Sequence, residues 1–139
     1  RDTWLDLLMC QCIEPALPEA CFIHAYPPSQ AALARLGQDE EDSTPVAHRF
    51  ELYIHSLELA NGYHELAQAN QQVQRFEQDQ QVRNKLGKSS MIADPRLLAA
   101  LQSGLPDCAG VALGLERLLM LALQQQDING VLSFGHQLA

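Results

Sequence analysis

The 139 residues are one domain's worth of chain, and 47% of them are hydrophobic, enough for a globular fold with a real core. A formal charge of −8 excludes a dominant nucleic-acid surface, which needs a basic stripe to displace counterions from phosphates. No apolar run approaches the roughly 18 residues of a membrane span and no charged leader precedes an apolar core, so the expected location is cytoplasmic, with no membrane partner.

Asp2 or Thr3 is a candidate cap for a helix whose apolar residues Trp4, Leu7, Leu8 and Ile13 form one uneven stripe, ended by Glu14 and Pro15. Residues 21–26, CFIHAY, read as a buried strand that stops at Pro27 and Pro28, because proline has no N–H for the ladder. His24 on it reads as a hydrogen-bonded core or rim histidine. Residues 29–36 are predicted to form a brief helical turn, and 37–45, GQDEEDSTP, a solvated acidic loop at the edge of a lid.

Residues 50–66, FELYIHSLELANGYHEL, read as two strands joined by a turn at His55 and Ser56, where Asn-Gly chemistry is lacking. Alternation puts Phe50, Leu52 and Ile54 on one face and Glu51, Tyr53 and His55 on the other, the pattern of a half-buried strand with its apolar face inward. Glu58 shares its face with the carboxylate of Glu65 only if the second strand slips by one residue. Asn61 and Gly62 are where that bulge is expected. Residues 68–86 have the thin apolar stripe Ala69, Val73, Phe76 and Leu86 of a surface helix, ended by Gly87. Asp94 and Pro95 are an N-cap and first helical position; Leu97, Leu98 and Leu101 face inward, and Gly104 and Pro106 stop that helix. Residues 109–115 are predicted as a strand, 116–124 as a central helix under the sheet, and 128–134 as a return to the sheet edge, with the last residues frayed.

The two strands at 50–66 resemble the penultimate active-site strands of class II aminoacyl-tRNA synthetases of the lysyl type, and AGVALGLERLLM at 109–120 is similar to their third signature motif. ELANGYHEL and PDCAGVALG are closer to the truncated paralogue of that family that modifies elongation factor P. The resemblance implies an α+β fold, an antiparallel sheet flanked by helices, with residues 1–139 as the C-terminal portion of one class II synthetase-like catalytic domain. The dimer strand and the first two motifs then lie outside this stretch. The fragment alone is expected to be inactive, and the full-length protein a homodimer.

The same resemblance implies ATP and Mg²⁺ as cofactors and assigns roles. Glu58, Leu59, Gly114 and Arg117 bind ATP; Glu58 and Glu65 hold Mg²⁺, which relieves the repulsion of two carboxylates in one cavity. Arg117 is the catalytic residue, its planar fork suited to the terminal phosphate. Without the motif, Glu58 and Glu65 read as exposed strand glutamates and Arg117 as an ion pair with Glu116 or a core carboxylate.

Asn61, Tyr63, Glu65 and Ala112 form the amino-acid pocket by resemblance. Tyr63 read alone is equally a core aromatic, Asn61 a bulge residue and His64 a surface group. Ala112 stands where lysyl-tRNA synthetases have the first glycine of a Gly-x-Gly spacing ending at Gly114. One methyl group there shifts affinity by about 1 to 3 kcal/mol, enough to tilt choice between α-lysine and (R)-β-lysine. The resemblance therefore implies β-lysine and elongation factor P as partners and no tRNA. The alternatives are a lysyl-tRNA synthetase fragment and a synthetase-like binding module without turnover. Cys10, Cys12, Cys21 and Cys108 lack metal-ligand spacing and read as reduced, mostly buried thiols. On a helix, Cys10 and Cys12 would point about 200° apart.

Overall fold

In the computed structural model, which describes residues 2–135, a hairpin of β3 (Pro45–Ile54) and β4 (Leu57–His64) forms the middle of an antiparallel sheet. β1 (Ala20–Tyr26) lies outside β3, and β5 (Ala109–Leu113) outside β4, giving the order β1-β3-β4-β5. A short β2 (Leu36–Gln38) pairs with the start of β3. Around the sheet run α1 (Asp2–Leu8), α2 (Ala69–Lys85), α3 (Pro95–Ser103) and α4 (Leu115–Ala122). The α+β class inferred from the sequence is therefore the one observed.

The hairpin turn falls at His55 and Ser56, and both take positive φ, 49° and 61°. A two-residue turn needs that left-handed pair to follow the strand twist, yet neither residue is glycine or asparagine. Replacing Ser56→Gly is expected to stabilise the chain by about 1 kcal/mol, read as a higher midpoint in urea at unchanged slope.

The one-residue slip in β4 is present, but at Leu59 rather than at Gly62: Tyr53 faces Glu58 while Leu52 faces Ala60. Gly62 has another use. It sits in regular register under Phe50, and a Cβ there would collide with the Phe50 ring and come within 3.0 Å of the Gly110 carbonyl. The absent side chain permits close approach rather than a bulge.

Burial of β3 is the reverse of the alternation reading. Glu51 and Tyr53 are buried, whereas Phe50, Leu52 and Ile54 are only half-buried. The polar face is closed by a hydrogen-bond network, and the apolar face is left largely open among the described residues. Among the described residues the buried hydrophobic side chains are few and mostly small: Ala31, Ala34 and Ala47 cluster against Tyr26 and Tyr63, and Val46, Tyr53, Leu59, Ala60 and Leu66 are buried elsewhere. Among the described residues, the expectation of a substantial core is not met.

Other boundaries shift for local reasons. α1 widens into a π turn over Met9–Ile13 and tightens to a 3-10 turn over Glu14–Ala16, and since it already includes Asp2, Thr3 lies within the helix. Only Pro28–Gln30 forms the helical turn expected over 29–36, because Leu36 is taken into β2. The acidic loop is shorter than expected. Leu36, Gly37 and Gln38 pair with Ala47, Val46 and Pro45, and the Asp39 and Asp42 side chains accept the N–H groups of Glu41 and Thr44 to close the turn. α2 and α3 form where their sequence signals place them, but Leu97, read as facing inward, and Leu86, read as part of the α2 stripe, are exposed, while Leu98 and Leu101 are half-buried. Asp94 caps α3 by accepting the Arg96 N–H at 2.8 Å, and Gly104 ends it at a φ of 104°. Arg75 fastens α2 to the segment that precedes β2 through the Ala32 and Ala34 carbonyls.

Residues 128–134 do not rejoin the sheet; Ile128–Gly130 is a 3-10 turn capped by Asp127. Most of the expected frayed end lies outside the described residues. α4 is not a packed central helix either: Leu115, Leu118, Leu119 and Leu123 are all exposed. Its apolar circumference meets too little of this chain to be covered. Cys10 and Cys12, on the uncovered π turn, are exposed rather than buried, and Cys21 and Cys108 are half-buried.

Candidate functional site

Arg117 lies in the first turn of α4 and reaches back to β4. Its Nη1 donates to the Glu58 carbonyl at 2.6 Å and approaches Glu58 Oε2 at 3.4 Å. β5 delivers the helix to that place. The Gly114 N–H donates to the Leu59 carbonyl at 2.9 Å, extending the ladder past β5 and fixing where α4 starts. Gly114 has ordinary φ, and a Cβ there would only touch the Arg117 side chain at 3.5 Å. Thus Glu58, Leu59, Gly114 and Arg117, all named from the sequence, come together.

Glu58 opens onto a cavity of about 430 Å³ that it shares with Glu51, Tyr53, Tyr26 and Arg49. Glu65 lines a different, apolar cavity of about 180 Å³ with Leu33, Leu97 and Leu101. The slip at Leu59 does put Glu58 and Glu65 on one face, but six strand steps separate them, on the order of 20 Å. A single Mg²⁺ binds its oxygens at about 2.1 Å, so this spacing does not suit one ion held by both. Glu51 is the nearer acid, diagonal to Glu58 across the hairpin, a relation that puts Cα atoms about 7 to 8 Å apart. Glu51 and Glu58 are hard oxygen donors in a cavity with room for phosphate, and that donor set fits Mg²⁺.

The residues named for the amino acid lie together on the β4–β5 side. Asn61 pairs with Ala112 and Tyr63 with Gly110 across the ladder. The Glu65 carboxylate lies over Gly110 in the space a side chain there would occupy. The Glu65 N–H is held by the Cys108 carbonyl at 3.0 Å. His64 points the other way, to Asp107 at 2.6 Å, in a surface cluster with Arg35.

Sequence reasoning missed the buried network between these two groups. Glu51 Oε1 accepts from Arg49 and from Asn61 Nδ2, and Oε2 accepts the Tyr53 hydroxyl at 2.8 Å. The signal was present: an acid alternating with an aromatic on one strand face, two residues after an arginine. Burial, and then the hydrogen bond to Glu51, push the Tyr53 phenol far above its usual range; burial and Glu51 do the same for Tyr26. Both groups hold their protons in the folded chain at pH values where they lose them unfolded. Their contribution to stability is therefore complete below pH 10 and declines as pH rises through and above it. Denaturation midpoints against pH should fall above 10, and Tyr53→Phe should flatten the fall.

The family model for class II tRNA synthetases (D, K and N) matches residues 8–138. The chain belongs to the class II tRNA synthetase family. Within that family, it is 47% identical over 137 residues to the elongation factor P–(R)-β-lysine ligase of Mannheimia succiniciproducens, covering 97% of this chain and 42% of the relative. The corresponding ligase of Pseudoalteromonas translucida is 47% identical over 136 residues, 96% of this chain and 41% of the relative. That of Yersinia pestis is 45% identical over 141 residues, 100% and 42%. This class II synthetase chain thus spans about two fifths of the length of the curated relatives it matches. Among the described residues, no helix is long and apolar enough to cross a membrane.

Proposed function

We propose that the protein to which this chain belongs activates (R)-β-lysine with ATP and transfers it to a lysine side chain of elongation factor P, and that the chain forms part of the activating site. The observation that carries this reading is the approach of Arg117 to Glu58 across 59 residues of sequence, in a chain 45–47% identical to ligases of that name.

The roles follow from side-chain chemistry. Mg²⁺, held by Glu58 with Glu51 in the same cavity, would supply positive charge to the ATP phosphates. Arg117 is half exposed and anchored at Glu58, and its fork suits a terminal phosphate oxygen as negative charge builds on the leaving pyrophosphate. Leu59 and Gly114 offer backbone beside that place. Glu65 is the acid for the substrate amine, with Asn61 and Tyr63 orienting it and Ala112 narrowing the floor. The chain's own residues position and neutralise; attack comes from the bound carboxylate, and no protein nucleophile is needed. The full-length protein is read as a homodimer and this fragment as inactive by itself.

ATP–pyrophosphate exchange by the intact protein, with α-lysine and (R)-β-lysine in parallel, tests the reading. Exchange with the β-isomer, followed by label transfer to elongation factor P and not to tRNA, supports it. Exchange with α-lysine and charging of tRNA would point to a lysyl-tRNA synthetase, and no exchange with either to a binding module.

A further inference from the structure

Arg49 is an unusual residue for the centre of a sheet. Its side chain is only 17% exposed, and all three of its nitrogens are used on different parts of the chain. Nη2 meets Glu51 on its own strand, Nε donates to Asn61 Oδ1 on β4 at 3.3 Å, and Nη1 donates to the Gln30 carbonyl at 3.0 Å. The guanidinium also lies between two rings. Its Cζ is 4.4 Å from the Tyr26 centroid and 5.8 Å from that of Tyr63, within the range of cation–π attraction.

These contacts fix the orientation of Asn61. Arg49 can only donate, so it demands the amide oxygen; the Glu51 carboxylate can only accept, and takes the Nδ2 at 3.2 Å. With Tyr63 also within cation–π reach of the guanidinium, two of the four residues read for the amino acid, Asn61 and Tyr63, are held by Arg49. The carboxylate that shares the Glu58 cavity is held by it too.

We infer that Arg49 is a positioning residue that couples the nucleotide half of the site, through Glu51, to the amino-acid half, through Asn61 and Tyr63. The inference rests on the function proposed above. A change at Glu51, such as the arrival of a cation and phosphates beside Glu58, is passed by the shared guanidinium to the amide and ring that orient the amino acid. Lysine keeps the charge but is a point donor on a flexible stem, unable to hold Glu51, Asn61 and Gln30 at once or to stack as a plane between two rings.

The test is a coupling measurement on the intact protein. Binding of (R)-β-lysine and of α-lysine is followed by calorimetry with and without a saturating non-hydrolysable ATP analogue and Mg²⁺, in wild type and Arg49→Lys. Wild type is expected to show at least a fivefold change in affinity for one of the amino acids when the nucleotide is present. In Arg49→Lys that factor should shrink to within twofold, while the melting temperature moves by a few degrees at most. A purely structural arginine would lower the melting temperature and leave the factor intact, and that result overturns the inference. So does a wild type that binds both ligands independently. A wild type that binds neither nucleotide nor amino acid overturns the proposed function together with it. Should Arg49→Lys not fold, Tyr26→Leu removes one stacking ring, leaves the hydrogen bonds of Arg49 in place, and is expected to reduce the same factor at least twofold; an unchanged factor overturns the inference.

Discussion

Arg117→Ala in the intact protein is expected to lower the rate of adenylate formation by about 10² to 10³-fold, the size of effect seen when one preorganised donor to developing charge is removed. The residue stands where a charge can be both held and released. Its contact with Glu58 Oε2 is 3.4 Å and half exposed, a weak ion pair of the kind worth little in stability. Nη1 is meanwhile anchored at 2.6 Å on the Glu58 carbonyl, a backbone group that does not move with the ligand. The guanidinium is therefore preorganised by the backbone and only lightly engaged by the side chain. Arg117→Lys should recover little, because an ammonium cannot keep the carbonyl and present a second N–H to phosphate in a fixed plane. Pre-steady-state formation of pyrophosphate is the measurement, and a rate within threefold of wild type in Arg117→Ala would remove the residue from the chemistry.

Gly110→Ala should have the second largest effect, confined to the amino acid. Gly110 has no positive φ, so alanine is compatible with its backbone. The obstacle is the Glu65 carboxylate, whose Oε1 occupies the place of the new methyl group. Since the far end of a glutamate is flexible, the carboxylate will move away rather than the strand. Overpacking of this kind typically costs about 1 to 3 kcal/mol when the surroundings are rigid, and less when one side chain can swing aside. The expected result is an amino-acid KM raised about tenfold, equivalent to about 1.4 kcal/mol, with the KM for ATP close to wild type. In a Glu65→Ala background the same substitution should be nearly silent, because the group it displaces is gone. Equal effects in both backgrounds would mean that Gly110 acts through the strand and not through Glu65.

How far the sequence could be read depended on the range of the forces involved. Asp94 and Pro95 announced the start of α3, and the residues around Gly87 and Gly104 announced two helix ends, because caps and stops are settled within one turn. The turn at His55 and Ser56 was legible from strand parity despite its poor turn chemistry. The convergence of Glu58, Leu59, Gly114 and Arg117 followed from motif resemblance, and Asn61, Tyr63 and Ala112 do lie on adjoining strands, with Glu65 just past the end of β4.

What local pattern could not decide was which face of the sheet would be covered. Alternation in β3 pointed to Phe50, Leu52 and Ile54 as the buried set, yet Glu51 and Tyr53 are buried deeper, because Arg49, Asn61 and Tyr53 together satisfy the carboxylate. The one-residue slip could be deduced from the need to align two acids, but its position could not. Gly62 looked like the cheap place for it until the Phe50 ring was seen above that residue. Nor does a stretch such as LERLLMLA reveal that its apolar sides remain exposed among the described residues.

By itself, then, the amino-acid order determined the central hairpin and its turn, the helices α2 and α3 with the Asp94 cap, and the family; the turn and the cap depend on neighbours a few residues away. Tertiary structure alone decided that Glu51 rather than Glu65 shares the Glu58 cavity and that Arg49 links the two halves of the site. Both depend on strand register, and one extra residue at Leu59 changes what every later side chain of β4 meets.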